Sequence, residues 1–158
     1  MDLKAHSAQI ENSMVNSFAY SFQATELDAR GGVGTVVERL RRMGLPAARV
    51  DDVQIALSEA VNNVVEHAYA DTTPGDVDIG CNLDTEQLWI SIRDAGLPLP
   101  NEALATRKPA DLTGPREDLP EGGFGWFLIR ELTSAVTYER DNGTNRLSLC
   151  FEVGNSCV

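Results

Sequence analysis

The stretch ALSEAVNNVVEHAY, residues 56–69, has the spacing of a helix, yet it sets Glu59, Asn62, Asn63, Glu66 and His67 among its apolar residues. At about 100° per residue, Val53, Leu57, Ala60, Val61, Val64 and Ala68 fall on one side, a stripe suited to packing on a sheet. The five polar residues fall on the other. The periodicity predicts one long helix over Val50–Tyr69, and the question it raises is what the polar side faces.

Upstream, MVNSFAYSF (Met14–Phe22) alternates Val15, Phe18, Tyr20 and Phe22 with small polar residues, as a strand does. A helix is expected over Thr25–Met43, opening near a Thr or Asp cap and stopped by Gly44 and Pro46. Its RGGVG (Arg30–Gly34) is not a Walker loop, because no apolar strand precedes it and no Lys-Ser or Lys-Thr follows. A poorly helical first turn or a close-packing spot is the plainer explanation. Downstream, DVDIGCNL and EQLWISIRD alternate Val77, Ile79, Cys81 and Leu83, then Leu88, Ile90 and Ile92, a hairpin with one buried face.

Residues 97–121 hold five prolines and no sustained period, the mark of a long loop that serves as a binding segment or lid or is disordered. FGWFLIRELT then reads as a short apolar helix. AVTYER and NRLSLCFEV close the chain as a hairpin over an Asn-Gly turn. Strand, helix, helix, two strands, loop, helix, two strands is an α+β order. It favours a two-layer sandwich, a mixed but mostly antiparallel sheet with helices on one face, over a doubly wound parallel sheet. The expected organisation is a tail over residues 1–13, one domain over 14–153 and a short tail over 154–158.

The chain has 158 residues, 42% of them apolar and 23% charged, which suits one soluble globular domain. A formal net charge of −11 argues against direct nucleic-acid binding, and ERLRR (Glu38–Arg42) is the only dense basic run. Cys81, Cys150 and Cys157 are odd in number and lack zinc or disulfide spacing, which fits a reducing cytoplasm. No signal-peptide pattern or membrane-length apolar run is readable.

Three constellations can carry chemistry. Glu59 and Asn63 lie one helical turn apart, a carboxylate beside an amide oxygen, able to hold a hard cation or poise a base. Asp94 ends an apolar strand and Gly96 follows it; a carboxylate there accepts from an exocyclic amine, and glycine lets a flat ring come close. Gly122, Gly123 and Gly125 open the apolar helix, where freed backbone N–H groups make an anion site. Each alone has an ordinary explanation: a solvated helix face, a turn, a tight loop-to-helix junction.

In this order, with the Pro-rich loop between the last two, they resemble the GHKL (Bergerat) ATP-binding fold, and within it the bacterial anti-sigma-factor serine kinases of the RsbW and SpoIIAB type. SEAVNNVVEHAY is similar to the family's N box, DAGLP to its first glycine box and GGFGWFLIREL to its second. The resemblance covers about Phe18 to Val153. It implies ATP and ADP as ligands with Mg2+, Glu59 as general base toward an acceptor hydroxyl, and Asn63 as the Mg2+ ligand. It implies Asp94 as the reader of adenine, Gly96 as room for the base, and Gly122, Gly123, Phe124 and Gly125 as the phosphate-side loop.

His67 falls in the same box with no catalytic task assigned. Ile55, apolar on the polar side, suits the edge of a bound ligand. The implied function is a cytoplasmic serine/threonine protein kinase that phosphorylates a STAS-domain anti-anti-sigma partner and sequesters a sigma factor, with homodimerisation possible. The glycine-rich first helix departs from the good helix formers expected there. The competing reading is a non-catalytic nucleotide-binding partner-switching module. A histidine kinase catalytic half fits less well, because no dimerisation helix with a phosphoacceptor His is readable.

Overall fold

The computed structural model describes residues 16–70, 73–99 and 123–154. Strand β1 (Ser17–Gln23) leads into helix α1 (Glu26–Arg42), followed by α2 (Ala47–Asn63) and a π-helical turn (Val64–Ala68). Strands β2 (Asp76–Leu83) and β3 (Gln87–Asp94), helix α3 (Gly123–Leu132) and strands β4 (Ala135–Asp141) and β5 (Thr144–Glu152) complete it. The expected tail over 1–13, Gly122, Cys157 and all but the first three residues of the 97–121 loop lie outside the described residues.

The strands form one five-stranded sheet in the order β1-β2-β3-β5-β4. Each pairing among the described strands is antiparallel, so the expected mostly antiparallel sheet is antiparallel throughout. Alternation sends Val77, Ile79, Cys81, Leu88, Ile90, Ile92, Leu149 and Phe151 to the inner face, all nearly or fully buried. Against them pack Val33, Val36, Val37 and Leu40 of α1, Val53, Leu57, Ala60 and Val61 of α2, and Trp126 and Ile129 of α3, in one continuous core. This is the two-layer α+β sandwich.

Local chemistry sets the boundaries. Thr25 caps α1, its hydroxyl accepting from the Asp28 N–H at 3.1 Å. Leu45 and Pro46 separate the helices, and the Pro46 carbonyl accepts from the Arg49 and Val50 N–H groups, which starts α2 three residues before the expected Val50. Asp84 closes the β2–β3 hairpin: one carboxylate oxygen accepts from the Glu86 and Gln87 N–H groups. Those bonds hold its carboxyl below the usual carboxylate range. Asn142 and Gly143, both at positive φ, make the two-residue turn of the closing hairpin. Burial pushes the core-facing Cys81 thiol up to about 12, so it stays a neutral apolar filler.

The RGGVG stretch is helical, and its glycines differ. A side chain on Gly32 would meet the Phe22 ring at 2.4 Å, whereas Gly31 and Gly34 face open space. Only the middle one is a close-packing spot. Gly31→Ala and Gly34→Ala should each stabilise the fold by about 0.5–1 kcal/mol, the helix-propensity difference. Gly32→Ala should destabilise it by about 1–3 kcal/mol through overpacking. Urea unfolding midpoints of the three variants will read the opposite signs.

Candidate functional site

The expected single helix over Val50–Tyr69 changes character at its end. It is α-helical to Asn63 and π-helical over Val64–Ala68. Sequence periodicity does not separate these, because Val64 and Ala68 stay on the buried side in both. The wider turn is met by tertiary bonds: the Ala68 carbonyl accepts from the Leu97 N–H at 2.8 Å. Tyr69, 9% exposed, accepts from the Ala95 N–H at 2.8 Å and donates to the Asp76 carbonyl at 3.2 Å. Burial raises its phenol pKa, and the Ala95 bond offsets this in part. The helix end is thereby bolted to the turn that follows β3. Such π-turns occur frequently where function is built.

That turn is where Asp94 sits. It is 7% exposed; its Oδ1 accepts from the Gly96 N–H at 2.9 Å and from Asn145 Nδ2 at 2.8 Å, while Oδ2 has no hydrogen bond to any described residue. The face of Gly96 where a side chain would stand is filled by Ala68, whose carbonyl oxygen would lie 2.3 Å from a Cβ. Gly96 therefore serves the contact between turn and helix, a use that residue type alone did not reveal.

Asn63, half-buried, donates through Nδ2 to the Glu59 main-chain carbonyl at 3.0 Å, which leaves its side-chain oxygen available as a ligand. Glu59 is half-buried one turn earlier, and its carboxylate lies against the start of α3: a Cβ on Gly125 would come within 2.6 Å of Oε2. Gly123 and Phe124 open that helix.

Asn63 and Asp94 line one narrow cleft of about 30 Å3, with Ala60, Val64, His67 and Ala68 on its helix side and Ile92, Leu97, Leu99, Trp126 and Leu147 around it. The apolar walls, and a carboxylate oxygen that no described residue fills, suit the edge of an apolar group bearing one hydrogen-bond donor. Among the described residues no cluster of three or more His, Cys, Asp or Glu side chains is placed to hold a metal.

Asn63 and Asp94 thus meet at the cleft, Glu59 and Gly125 meet one helical turn earlier, and of the five polar residues Asn63 and His67 line the cleft. His67 stands at its mouth, exposed, 3.8 Å from the Glu66 carboxylate. Ile55 is 43% exposed, one turn before Glu59. Sequence reasoning missed Tyr69, Tyr138, Arg140 and Asn145. Asn145 pairs directly across from Asp94 in the β3–β5 register. Its signal was the Asn-Gly hairpin carrying it, but the register that places it is not written locally.

The model of the histidine kinase-like ATPase domain family matches residues 22–151. A serine-protein kinase RsbW of Oceanobacillus iheyensis is 36% identical over 108 residues, 65% of this chain and 65% of the relative. One from Bacillus cereus is 35% identical over 103 residues, 65% and 64% of the two chains. The match thus spans just under two thirds of these curated relatives' length. In fold, the chain is similar to the RsbU and RsbW domains of a Mycobacterium tuberculosis protein, with a TM-score of 0.60 at 20% identity over 85% of this chain and 32% of that one. It is also similar to the SiaB–SiaC complex structure of Pseudomonas aeruginosa, with a TM-score of 0.58 at 15% identity over 97% and 99%.

Proposed function

The chain belongs to the histidine kinase-like ATPase domain family, and from that membership we propose that it is an ATP-dependent protein serine/threonine kinase acting in a partner switch. Its substrate on this reading is a STAS-domain anti-anti-sigma protein, and its second partner is a sigma factor. The observation that carries the reading is that Asn63 and Asp94 line one cleft, while Glu59, one helical turn before Asn63, lies against Gly125 of α3. The relatives named as serine-protein kinases support the reaction class. No helix among the described residues is long and apolar enough to cross a membrane, which suits the proposed cytoplasmic location.

In this mechanism Asp94 Oδ2 receives the amine of the adenine ring while Ile92, Leu147 and Val64 exclude water from its faces. The N-terminus of α3 directs backbone N–H groups toward the phosphates. Asn63 offers its side-chain oxygen to Mg2+, which supplies charge neutralisation on the phosphates when bound. Glu59 accepts the proton of the acceptor serine or threonine hydroxyl. Phosphoryl transfer asks the protein mainly for positioning and electrostatics, and these groups supply both.

Calorimetry with MgATP tests the site. Asp94→Asn should weaken binding about 10- to 100-fold, the worth of a hydrogen bond to a charged group. Asn63→Ala should abolish the part of the affinity that depends on Mg2+. Wild-type affinity in both variants would refute the nucleotide site.

A further inference from the structure

We propose that Asn145 is a positioning residue that restricts Asp94 to a one-oxygen contact, and that this restriction makes the cleft select adenine over guanine. The inference rests on the nucleotide reading above and adds a specificity determinant to it.

Asp94 has two carboxylate oxygens, and both hydrogen-bonding positions of Oδ1 are taken, by the Gly96 N–H at 2.9 Å and by Asn145 Nδ2 at 2.8 Å. No described residue bonds to Oδ2, which is the oxygen left to a ligand. Asn145 is itself fixed. Arg140 can only donate, so the atom 2.7 Å from its guanidinium is the amide oxygen of Asn145. The Tyr138 hydroxyl donates to that oxygen too, at 2.5 Å. The amide nitrogen is left facing Asp94 and the Leu97 carbonyl, the latter at 2.8 Å. Turning the amide over would set its N–H groups against a guanidinium and its oxygen against a carboxylate. At 5% exposure, Asn145 is almost wholly withdrawn from bulk solvent.

The consequence follows from the edges of the purines. Adenine presents its exocyclic amine as the donor on this edge, and one carboxylate oxygen satisfies it. Guanine presents two adjacent donors, the ring N1–H and the 2-amino group, a pair matched by a carboxylate with both oxygens open. With Oδ1 occupied, guanine's two donors must share Oδ2, which two adjacent donors on one rigid edge cannot both reach in good geometry. Discrimination by a poorly paired buried donor is typically about 10-fold or more.

The test is displacement of a fluorescent ribose-labelled ATP by MgATP, MgGTP and MgITP, since ITP keeps the N1–H and lacks the 2-amino group. In the wild type, ATP should bind at least about tenfold more tightly than GTP, and GTP no more tightly than ITP within about threefold. In Asn145→Leu, which frees one position on Oδ1, GTP should gain about tenfold over ITP. A merely structural Asn145 would weaken all three nucleotides together and leave that ratio alone.

GTP binding about tenfold more tightly than ITP in the wild type overturns the proposal, and this arm holds even if Asn145→Leu fails to fold. An unchanged GTP-to-ITP ratio in a folded Asn145→Leu protein overturns it as well. Failure of ATP to displace the probe, or an Asp94→Asn variant with an unaltered ATP-to-ITP ratio, refutes the nucleotide reading itself and the specificity claim with it.

Discussion

Glu59→Gln is expected to keep MgATP affinity within about threefold of wild type and to lower phosphoryl transfer to a purified STAS-domain partner by about 10²–10⁴-fold, the usual worth of a positioned general base. Glutamine keeps the shape and removes the proton acceptor, so binding and chemistry separate. The geometry adds a companion variant. A methyl group on Gly125 would stand 2.6 Å from Glu59 Oε2, which is the free end of a side chain and can swing aside. Gly125→Ala should therefore fold normally yet transfer phosphate about 10²-fold more slowly, because the base is displaced by an ångström or so. Labelling of the partner with γ-labelled ATP measures both variants. Transfer at the wild-type rate in Glu59→Gln would leave a nucleotide-gated binding module as the better description.

Gly96→Ala is expected to cost about 3 kcal/mol of stability, seen as a fall in Tm of roughly 6–12 °C for a chain of this size. The obstacle is main chain: the new methyl group would meet the Ala68 carbonyl oxygen at 2.3 Å and its carbon at 2.6 Å. Neither can move without disturbing the π-turn and the bond from the Leu97 N–H. The sequence alone suggests another use for this glycine, room for a ligand ring. That use by itself would remove nucleotide binding and spare the Tm. A thermal scan of the ligand-free variant distinguishes the two, and an unchanged Tm would refute the packing role assigned to Gly96.

Most of the architecture is legible in the chain, because the signals are local and redundant. Alternation over Val77–Leu83 and Leu88–Ile92 gives strands with one inner face, the Thr25 cap and Gly44 bound α1, and Asn142-Gly143 makes the turn between β4 and β5. The polar side of α2 and the Asp94 and glycine turns are legible as well, each through residue types set at fixed spacing. The π-turn is not, since Val64 and Ala68 keep the same buried side in either helix type.

The sequence by itself determined the order of the elements, which faces are apolar, and which carboxylates, amides and glycines are candidates for the site. Only the tertiary structure decided which of them meet and what each is free to do. Asn145 joins Asp94 through a strand register spanning about fifty residues, Glu59 touches α3 across the layer, and Gly96 is filled by Ala68. The physical reason is that capping, alternation and turn chemistry act between near neighbours along the chain. The free lone pairs of a buried carboxylate depend instead on groups brought to it from distant segments by packing.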